Sequence, residues 1–296
     1  MIRDSGSVKF RWAFGSGVAW VGSGTRGDEL PAELARRESR LHKIREAKAA
    51  LEAEARAAAA AAAETAQAKL AERERQTTET GRKPKGRPPQ VPDPDQAQPE
   101  PQAQRNFTDP DSRIMKDGAT QSFVQAYNAQ AAVDGAAQII VAADVTPAAN
   151  DKQHLVPMLT QVAAHCGAAP TVASADSGYF SETAVTAPAL AAIDLHVAPD
   201  RVPHGAALAA AAPPPAAEGG TVIAAMRAKL RTPLGHATYA LRKAIVEPVF
   251  GQIKDGRGFR RFAFRGLGKV RAEWRLICLT HNLLKLFRAG WRLRPA

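Results

Sequence analysis

The sequence predicts an α/β protein in which a mixed sheet is flanked by helices. Two apolar runs, 125–133 and 138–146, are separated by Asp134-Gly135, a pattern typical of two strands joined by a turn. After them, short strand-like runs alternate with segments of helical periodicity, which indicates crossover units added to a hairpin. The length allows one large domain with an appendage.

Three segments of different composition precede this part of the chain. Residues 1–26 are rich in glycine and show no clear period, so we expect an irregular N-terminus. Residues 27–78 are rich in Ala, Glu, Arg and Lys, and their apolar residues at heptad steps predict a helical arm. That arm is either a solvated helix or a coiled coil that binds a partner. Residues 79–104 contain many prolines and predict an extended or disordered linker, which leaves 105–290 as the main domain.

Within the main domain, each element is predicted from a local pattern. Asn150 or Asp151 can cap a helix whose apolar residues recur at helical spacing from 155 to 166. The later elements are strands at 171–175 and 193–197, a Pro/Ala/Gly loop at 201–220, and helices at about 234–254 and 268–288.

The positive charge is concentrated near the C-terminus. The formal net charge is +11, and residues 254–294 contain twelve Lys or Arg against two acids. A local basic face is the electrostatic footprint expected for a partner with a phosphate backbone. The absence of a long apolar stretch argues against a membrane span. With only Cys166 and Cys278, a disulfide framework or a cysteine zinc site is not expected, and a reducing cytoplasm fits.

A carboxylate at the end of a predicted strand is the first candidate site residue. Asp176 follows the strand at 171–175 and precedes a glycine turn, so its side chain is expected at the sheet edge where ligands usually bind. The alternative is a cap on the next turn, which is the commoner role of such an aspartate.

A second carboxylate lies on a predicted helix. Glu247 shares one helix face with Tyr239, Lys243 and Lys254, because these residues are four, four and seven positions apart. A lone glutamate among cations is normally a solvated ion pair. Apolar neighbours along this helix instead lead us to expect partial burial, which would make Glu247 a functional candidate.

The segment 256–265 alternates arginines with phenylalanines and glycines. Arg257, Arg260 and Arg261 carry planar guanidinium groups that suit phosphate contacts, and aromatic rings can stack on exposed bases. The alternative is that the phenylalanines belong to the core and the arginines are merely solvated.

These motifs together resemble those of bacterial insertion-sequence DDE transposases. Tyr239, Arg242 or Lys243, Glu247 and Lys254 resemble the Tyr-Arg-Glu-Lys signature of that group. The stretch Ala-Asp-Ser-Gly-Tyr at 175–179 resembles its second-aspartate motif, and Tyr-Asn-Ala-Gln-Ala-Ala-Val-Asp at 127–134 is also similar to it.

The resemblance implies an RNase H-like fold and metal-dependent strand cleavage and transfer at transposon ends. It implies that Asp176 and Glu247 are the second and third catalytic carboxylates and ligate Mg²⁺ or Mn²⁺, with two ions at a complete site. It also implies that Tyr239, Arg242 and Lys254 contact DNA phosphates near the cut, and we include Lys243 in the same basic set.

The sequence departs from that group in its first 26 residues. There the first aspartate lies on the first strand, before a helical insertion that resembles the arm at 27–56. Here residues 1–26 contain only Asp4 and resemble nothing in the group. We therefore predict that the first strand and its catalytic aspartate are missing, as in a truncated or frame-shifted copy.

Three functions remain open at this point. The first is an insertion-sequence transposase with weak or no activity, and the second is a non-catalytic DNA-binding remnant that interferes with an intact transposase. The third is a generic metal-dependent nuclease of the same fold, which would cleave without preference for transposon ends. The expected partners are double-stranded DNA at transposon ends and target sites, and a second copy or an intact transposase in a dimer. The expected location is the cytoplasm, in association with the nucleoid.

Overall fold

The sheet and its helices are built from the residues after 110 together with one strand from the N-terminal region. A computed structural model describes residues 11–21, 37–117, 121–200 and 221–290, and for 11–21 and 37–38 it describes the backbone alone. The predicted loop at 201–220 lies outside these residues. Contacts divide the chain into two compact units, one formed by 1–23 with 111–296 and the other by 24–110.

The first unit contains seven strands and five helices among its described residues. The strands are β1 (Arg11–Val21), β2 (Arg113–Lys116), β3 (Phe123–Asp134), β4 (Ile140–Thr146), β5 (Val172–Ala175), β6 (Asp194–Val197) and β7 (Arg261–Phe262). The helices are α2 (Leu155–Cys166), α3 (Glu182–Val185), α4 (Val222–Arg231), α5 (Pro233–Gly251) and α6 (Leu267–Arg288), and the helix of the other unit is α1 (Arg37–Thr80).

All seven strands belong to one mixed sheet. Its main path is β2-β3-β1-β5-β6, with β4 also paired to β3 and β7 paired to β1. The pairings of β3 with β1, β2 and β4 are antiparallel, whereas β1–β5, β5–β6 and β1–β7 are parallel. The predicted α/β class with a mixed sheet is confirmed.

The central position of β1 corrects the prediction of an irregular N-terminus and a missing first strand. Residues 11–21 pair along one edge with β3, from Trp12 opposite Asp134 to Trp20 opposite Ala126. Large apolar residues (Trp, Phe, Val and Trp) occupy four of the five even positions of this strand, and Ala or Gly occupies four of its six odd ones. That period of two is a strand signal which the high glycine content concealed.

Residues of β3 with odd and even numbers face two different cores. Odd-numbered Tyr127, Ala129, Ala131 and Val133 pack with the buried side of α5 and α6. Even-numbered Ala132 instead packs with α2, α4 and the residues after β5. This alternation follows from the pleat of the strand. It leaves two further even positions of β3, 128 and 130, to fill the α2 side of the sheet with polar side chains.

The second unit is built on the long helix α1. The chain after α1 returns along it, because Arg73 donates to the carbonyl oxygens of Pro84 and Gly86 at 2.9 and 2.8 Å. Further on, Arg105 forms an ion pair with Glu54 at 2.6 Å. The proline-rich segment of this unit is therefore tied to α1 at both ends. Leu41 and Ile44, two residues of the predicted heptad pattern, are exposed.

Candidate active site

Asp176 lies where β5 ends, at the carboxyl edge of the parallel half of the sheet. It is half-buried, and its Oδ1 accepts a hydrogen bond from the backbone N–H of Gly178 at 2.9 Å. It therefore caps the short turn Ser177–Tyr179, as the alternative interpretation of the sequence expected. The cap occupies one carboxylate oxygen with a local bond and leaves the residue at the ligand-binding edge.

Gly178 permits two carboxylates to approach each other. A Cβ at this position would lie 2.9 Å from Oδ2 of Asp151 and 3.0 Å from Oδ1 of Asp176. The two oxygens are therefore within about 6 Å of each other, at which distance like charges repel appreciably in a partly buried site. Only glycine fits here without displacing one of the carboxylates.

A buried polar cluster lies directly beneath this turn. The Oδ1 atom of Asp151 accepts hydrogen bonds from Asn128 Nδ2 and Gln130 Nε2, each at 2.7 Å. The Oε1 atom of Gln130 in turn accepts a hydrogen bond from the hydroxyl of Tyr179. All four side chains are buried. Because buried polar groups need partners, this chain of hydrogen bonds fixes the turn after Asp176 to β3.

The sequence analysis missed this cluster and assigned Asp151 a different role. The N-cap residue of α2 is His154, which makes no capping hydrogen bond with its side chain. Asp151 instead turns toward the sheet. The available signal was the pair of polar residues, Asn128 and Gln130, at alternate positions in an otherwise apolar strand. Two polar side chains on one buried face require a common partner.

The protonation of Asp176 reflects opposing influences. Burial raises the pKa of its carboxyl above the ordinary value, the guanidinium of Arg242 lowers it, and the negative charge of Asp151 raises it further. The net effect is a raised pKa. Perturbation by burial and by named charges at a sheet edge is typical of functional carboxylates.

Helix α5 brings Tyr239 and Arg242 to the same place. It begins after Thr232, whose hydroxyl accepts from Gly235 N at 3.0 Å, with Pro233 at the first helical position. Arg242 lies 5.3 Å from the ring centroid of Tyr239. Burial raises the pKa of the Tyr239 hydroxyl, Arg242 lowers it, and Asp176 raises it. The structure thus brings together three of the predicted site residues, Asp176, Tyr239 and Arg242.

Glu247 does not have the partial burial that we expected. It is exposed, as is Lys243 one turn before it. The reason lies in the pattern of α5, where Ile245, Val246 and Val249 are buried and therefore place position 247 on the solvent side. An exposed carboxylate is open to a ligand from solution, but it is not held by surrounding protein.

A proline follows Glu247 without breaking the helix. Pro248 cannot donate a hydrogen bond to the carbonyl of Ala244, four residues earlier. The side chain of Gln138 donates to that carbonyl at 3.0 Å and replaces the missing bond. The helix then widens into a π-helical turn at Gln252–Gly256. A turn of this kind inside or after a helix often marks a functional site.

Of the remaining basic residues of the predicted site, two are partly buried (Lys254 and Arg257) and two are exposed (Arg260 and Arg261). Lys254 is half-buried, and burial lowers the pKa of its ammonium group, while Asp117 raises it. Arg257 is occupied internally, because it donates to Ile277 O at 3.1 Å and to the hydroxyl of Thr280. Arg260 and Arg261 are exposed, and Arg260 forms an ion pair with Asp255.

The phenylalanines of segment 256–265 are likewise divided. Phe262, in β7, is buried against Tyr127 and Trp274, with ring centroids at 6.5 and 6.4 Å. Phe259 and Phe264 are exposed. Each of the two interpretations of this segment thus holds for part of it.

The carboxylates that the structure describes do not form a complete divalent-metal site. Among the described residues, no three His, Cys, Asp or Glu side chains lie together as a metal would require. Strand β1 pairs with β5 up to Ala13 opposite Ser174, and continuing this register by two residues puts Gly15 beside Asp176. The sequence of β1 contains neither Asp nor Glu at any position. The predicted absence of a first-strand carboxylate thus persists even though the strand itself is present.

None of the described helices combines the length and apolar character needed to span a membrane.

Comparison with known proteins gives one family match. A family profile described as Transposase DDE domain matches residues 219–287. No curated protein and no solved structure matches the chain. A transposase DDE domain generally implies DNA as a partner and the use of a divalent metal. Over residues 219–287, which include α4, α5 and all but the last residue of α6, the chain is similar to transposase DDE domains.

Proposed function

We propose that this protein is a bacterial insertion-sequence transposase relative that holds DNA but cleaves it weakly or not at all. The observation that carries the proposal is the composition of β1. This strand lies beside β5, which ends at Asp176, yet it contains no carboxylate. Phosphodiester cleavage by two metal ions needs carboxylates that bridge them. Asp176 and the exposed Glu247 are too few for that role.

We also propose an RNase H-like arrangement for the domain at 105–290 with β1. Support comes from the mixed sheet, in which antiparallel β4, β3 and β1 are continued by parallel β5 and β6. Helices cover both faces, as the two cores on either side of β3 indicate. In this arrangement Asp176, Tyr239 and Arg242 lie at the carboxyl edge of the parallel strands, where ligands usually bind.

Binding of DNA is supported by exposed cations. The segment from β7 to α6 exposes Arg261, Arg265, Lys269 and Arg275, and Lys243 is exposed on α5. Cations of this kind contact phosphates without reading the base sequence. Tyr239, Arg242 and Lys254 are the residues that we assign to the phosphates nearest Asp176. A protein of this kind would act in the cytoplasm at the nucleoid.

The alternative function, interference with an intact transposase through a mixed dimer, uses the same DNA contacts. It differs in requiring that the chain associate with another transposase. Loss of cleavage alone does not separate the two functions, whereas formation of a mixed dimer does.

The proposal is tested by measuring cleavage and binding in parallel. Nicking of a supercoiled plasmid carrying the gene's own flanking DNA is followed with Mn²⁺, for the wild type, Asp176→Ala and Glu247→Ala. We expect nicking by all three to be equally weak or absent. Nicking by the wild type that is lost in both variants would show a working nuclease and overturn the proposal.

Binding is measured on a labelled duplex across a range of salt concentrations. The double variant Arg261→Ala/Arg265→Ala is compared with Lys69→Ala, which removes an exposed cation from α1. For each phosphate contact removed, we expect the slope of log K against log salt to decrease by about 0.9. Lys69→Ala is expected to leave the slope unchanged. Equal effects of the two variants would refute the assigned surface.

A further inference from the structure

Helix α6 has two apolar faces, and only one of them is buried among the residues that the structure describes. Its inner face, formed by Val270, Trp274, Ile277, Cys278 and His281, is buried in the core. Its outer face carries large apolar residues that are exposed: Leu276 by 60%, Leu279 by 53%, Leu283 by 51%, Leu286 by 38% and Phe287 by 76%. We call these four leucines with Phe287 the outer stripe. Scattered exposed leucines are ordinary, but five large residues on one helix face form a contiguous patch.

The spacing of the outer stripe is that of a coiled-coil seam. The leucines are three, four and three residues apart, which corresponds to a, d, a and d positions of a heptad. The inner face occupies other heptad positions, so the two apolar faces do not compete. A seam of leucines at a and d positions is complementary to another seam of the same kind.

The charged residues of α6 leave the middle of the outer stripe clear. Arg271 is directed inward, where it pairs with Asp144 at 2.5 Å and donates to Val145 O at 3.1 Å. Lys285 donates to Gln138 Oε1 at 2.7 Å, also toward the sheet. The residues that flank the stripe at its centre are the neutral Thr280 and Asn282.

We propose that the outer stripe docks against the same stripe of a second copy of this chain, with the two α6 helices antiparallel. In this pairing Leu276 meets the partner's Leu286, Leu279 meets the partner's Leu283, and a twofold axis repeats both layers, as an isologous interface requires. Side by side at the axis lie the two copies of Asn282 and of Thr280, so no like charges are opposed. Antiparallel helices also place their dipoles favourably.

The area is consistent with a specific dimer. From its exposed fractions, the outer stripe presents roughly 500 Å² of apolar surface, so a symmetric pair removes about 1,000 Å² from water, near the lower limit for specific interfaces. A stripe of this size is comparable to the largest apolar patch of a typical soluble monomer, about 300–600 Å², and such patches are often functional. This inference does not depend on DNA binding or cleavage.

The first test measures the oligomeric state of the full chain by sedimentation and light scattering. Leu279→Lys and Leu283→Lys each place two charges at the centre of the paired helices, and we expect the dissociation constant to rise on the order of 100-fold or more. The matched control is Leu234→Lys, which changes a leucine on α5 that is somewhat more exposed (69%). All these positions are exposed in the monomer, so far-ultraviolet circular dichroism should be unchanged. A monomeric wild type, or a dimer that survives both substitutions, would overturn the proposal.

The second test examines the orientation. A mixture of Leu279→Lys and Leu283→Glu is expected to form a heterodimer, because in the antiparallel pairing the new lysine faces the partner's new glutamate. Either variant alone should remain monomeric at the same concentration. Recovery of the dimer in the mixture supports the pairing as stated. Failure of the mixture to associate would overturn the antiparallel arrangement.

Discussion

Removal of the Tyr179 hydroxyl should destabilise the sheet domain by about 2 kcal/mol. In Tyr179→Phe the ring stays in its fully buried place, so the packing changes by a single oxygen atom. The loss falls on Gln130, whose Oε1 accepts the hydrogen bond of that hydroxyl. Gln130 is also fully buried, so water cannot replace the donor. A buried acceptor left without a partner costs about 1–3 kcal/mol.

The amide of Gln130 cannot escape this cost by turning over. Its Nε2 donates to Asp151 at 2.7 Å, and a flip would direct its oxygen at that carboxylate. The loss of stability in Tyr179→Phe is therefore expected near the middle of the range of about 1–3 kcal/mol, and not at its lower end. For a domain of about 200 residues, 2 kcal/mol corresponds to a fall in Tm of roughly 4–8 °C.

Denaturant unfolding followed by tryptophan fluorescence measures this quantity selectively. All four tryptophans (Trp12, Trp20, Trp274 and Trp291) belong to the unit that contains the sheet, so the signal omits α1. A double-mutant cycle with Gln130→Met provides the control, because that background lacks the hydrogen bond between the hydroxyl and residue 130, and removal of the hydroxyl should then cost much less. A change below about 0.5 kcal/mol for Tyr179→Phe, or equal costs in both backgrounds, would refute the hydrogen-bonded cluster.

Three further variants probe the surroundings of the cluster. Burial raises the folded pKa of Asp176, so its ionisation costs stability as pH rises from the unfolded value near 4 through the folded one. The free energy of unfolding of Asp176→Asn should therefore rise relative to that of the wild type as the pH increases from about 4 to 7. Urea melts at both pH values measure this difference, and a difference that does not change with pH would contradict the reasoning. Gly178→Ala should cost about 1–3 kcal/mol, because its Cβ would lie 2.9 Å from Asp151 Oδ2, and a thermal melt unchanged from wild type would be inconsistent with the described turn. Gln138→Met should cost less than about 1 kcal/mol, since the two partners that it loses, the carbonyl of exposed Ala244 and the ammonium group of half-buried Lys285, can bind water instead. A larger loss of stability on denaturation would contradict this reasoning.

Periodic patterns in the sequence predicted most of the fold. They did not predict the glycine-rich strand β1, nor the short elements β2, β7 and α4. Helix α6 was predicted at 268–288 and is found at Leu267–Arg288, because a buried stripe at helical spacing is a strong signal. Strand β1 was missed because its small residues resembled a glycine-rich coil. The short strands β2 and β7 and the helix α4 were also not foreseen.

The candidate site could be predicted only in part, because its residues are brought together by long-range pairing. Asp176 was identifiable from its strand and turn. Its neighbour Asp151 was not, since a single aspartate before a helix normally acts as a cap. The exposure of Glu247 depends on which side of α5 meets the core, and both sides contain some apolar residues. Tertiary packing, and not the local sequence, determines whether Glu247 is buried and which residues lie beside Asp176.

The position of β1 has a consequence for how the chain acquires its structure. It is the first described strand to leave the ribosome, yet its parallel partner β5 begins about 160 residues later. Its antiparallel partner β3 begins at Phe123, so only one edge of β1 can be paired before β5 is made, whereas the unit at 24–110 precedes both partners and can form during synthesis. The edge of β1 that faces β5 is thus completed late, and a chain interrupted between β3 and β5 would present this unpaired strand edge to its neighbours.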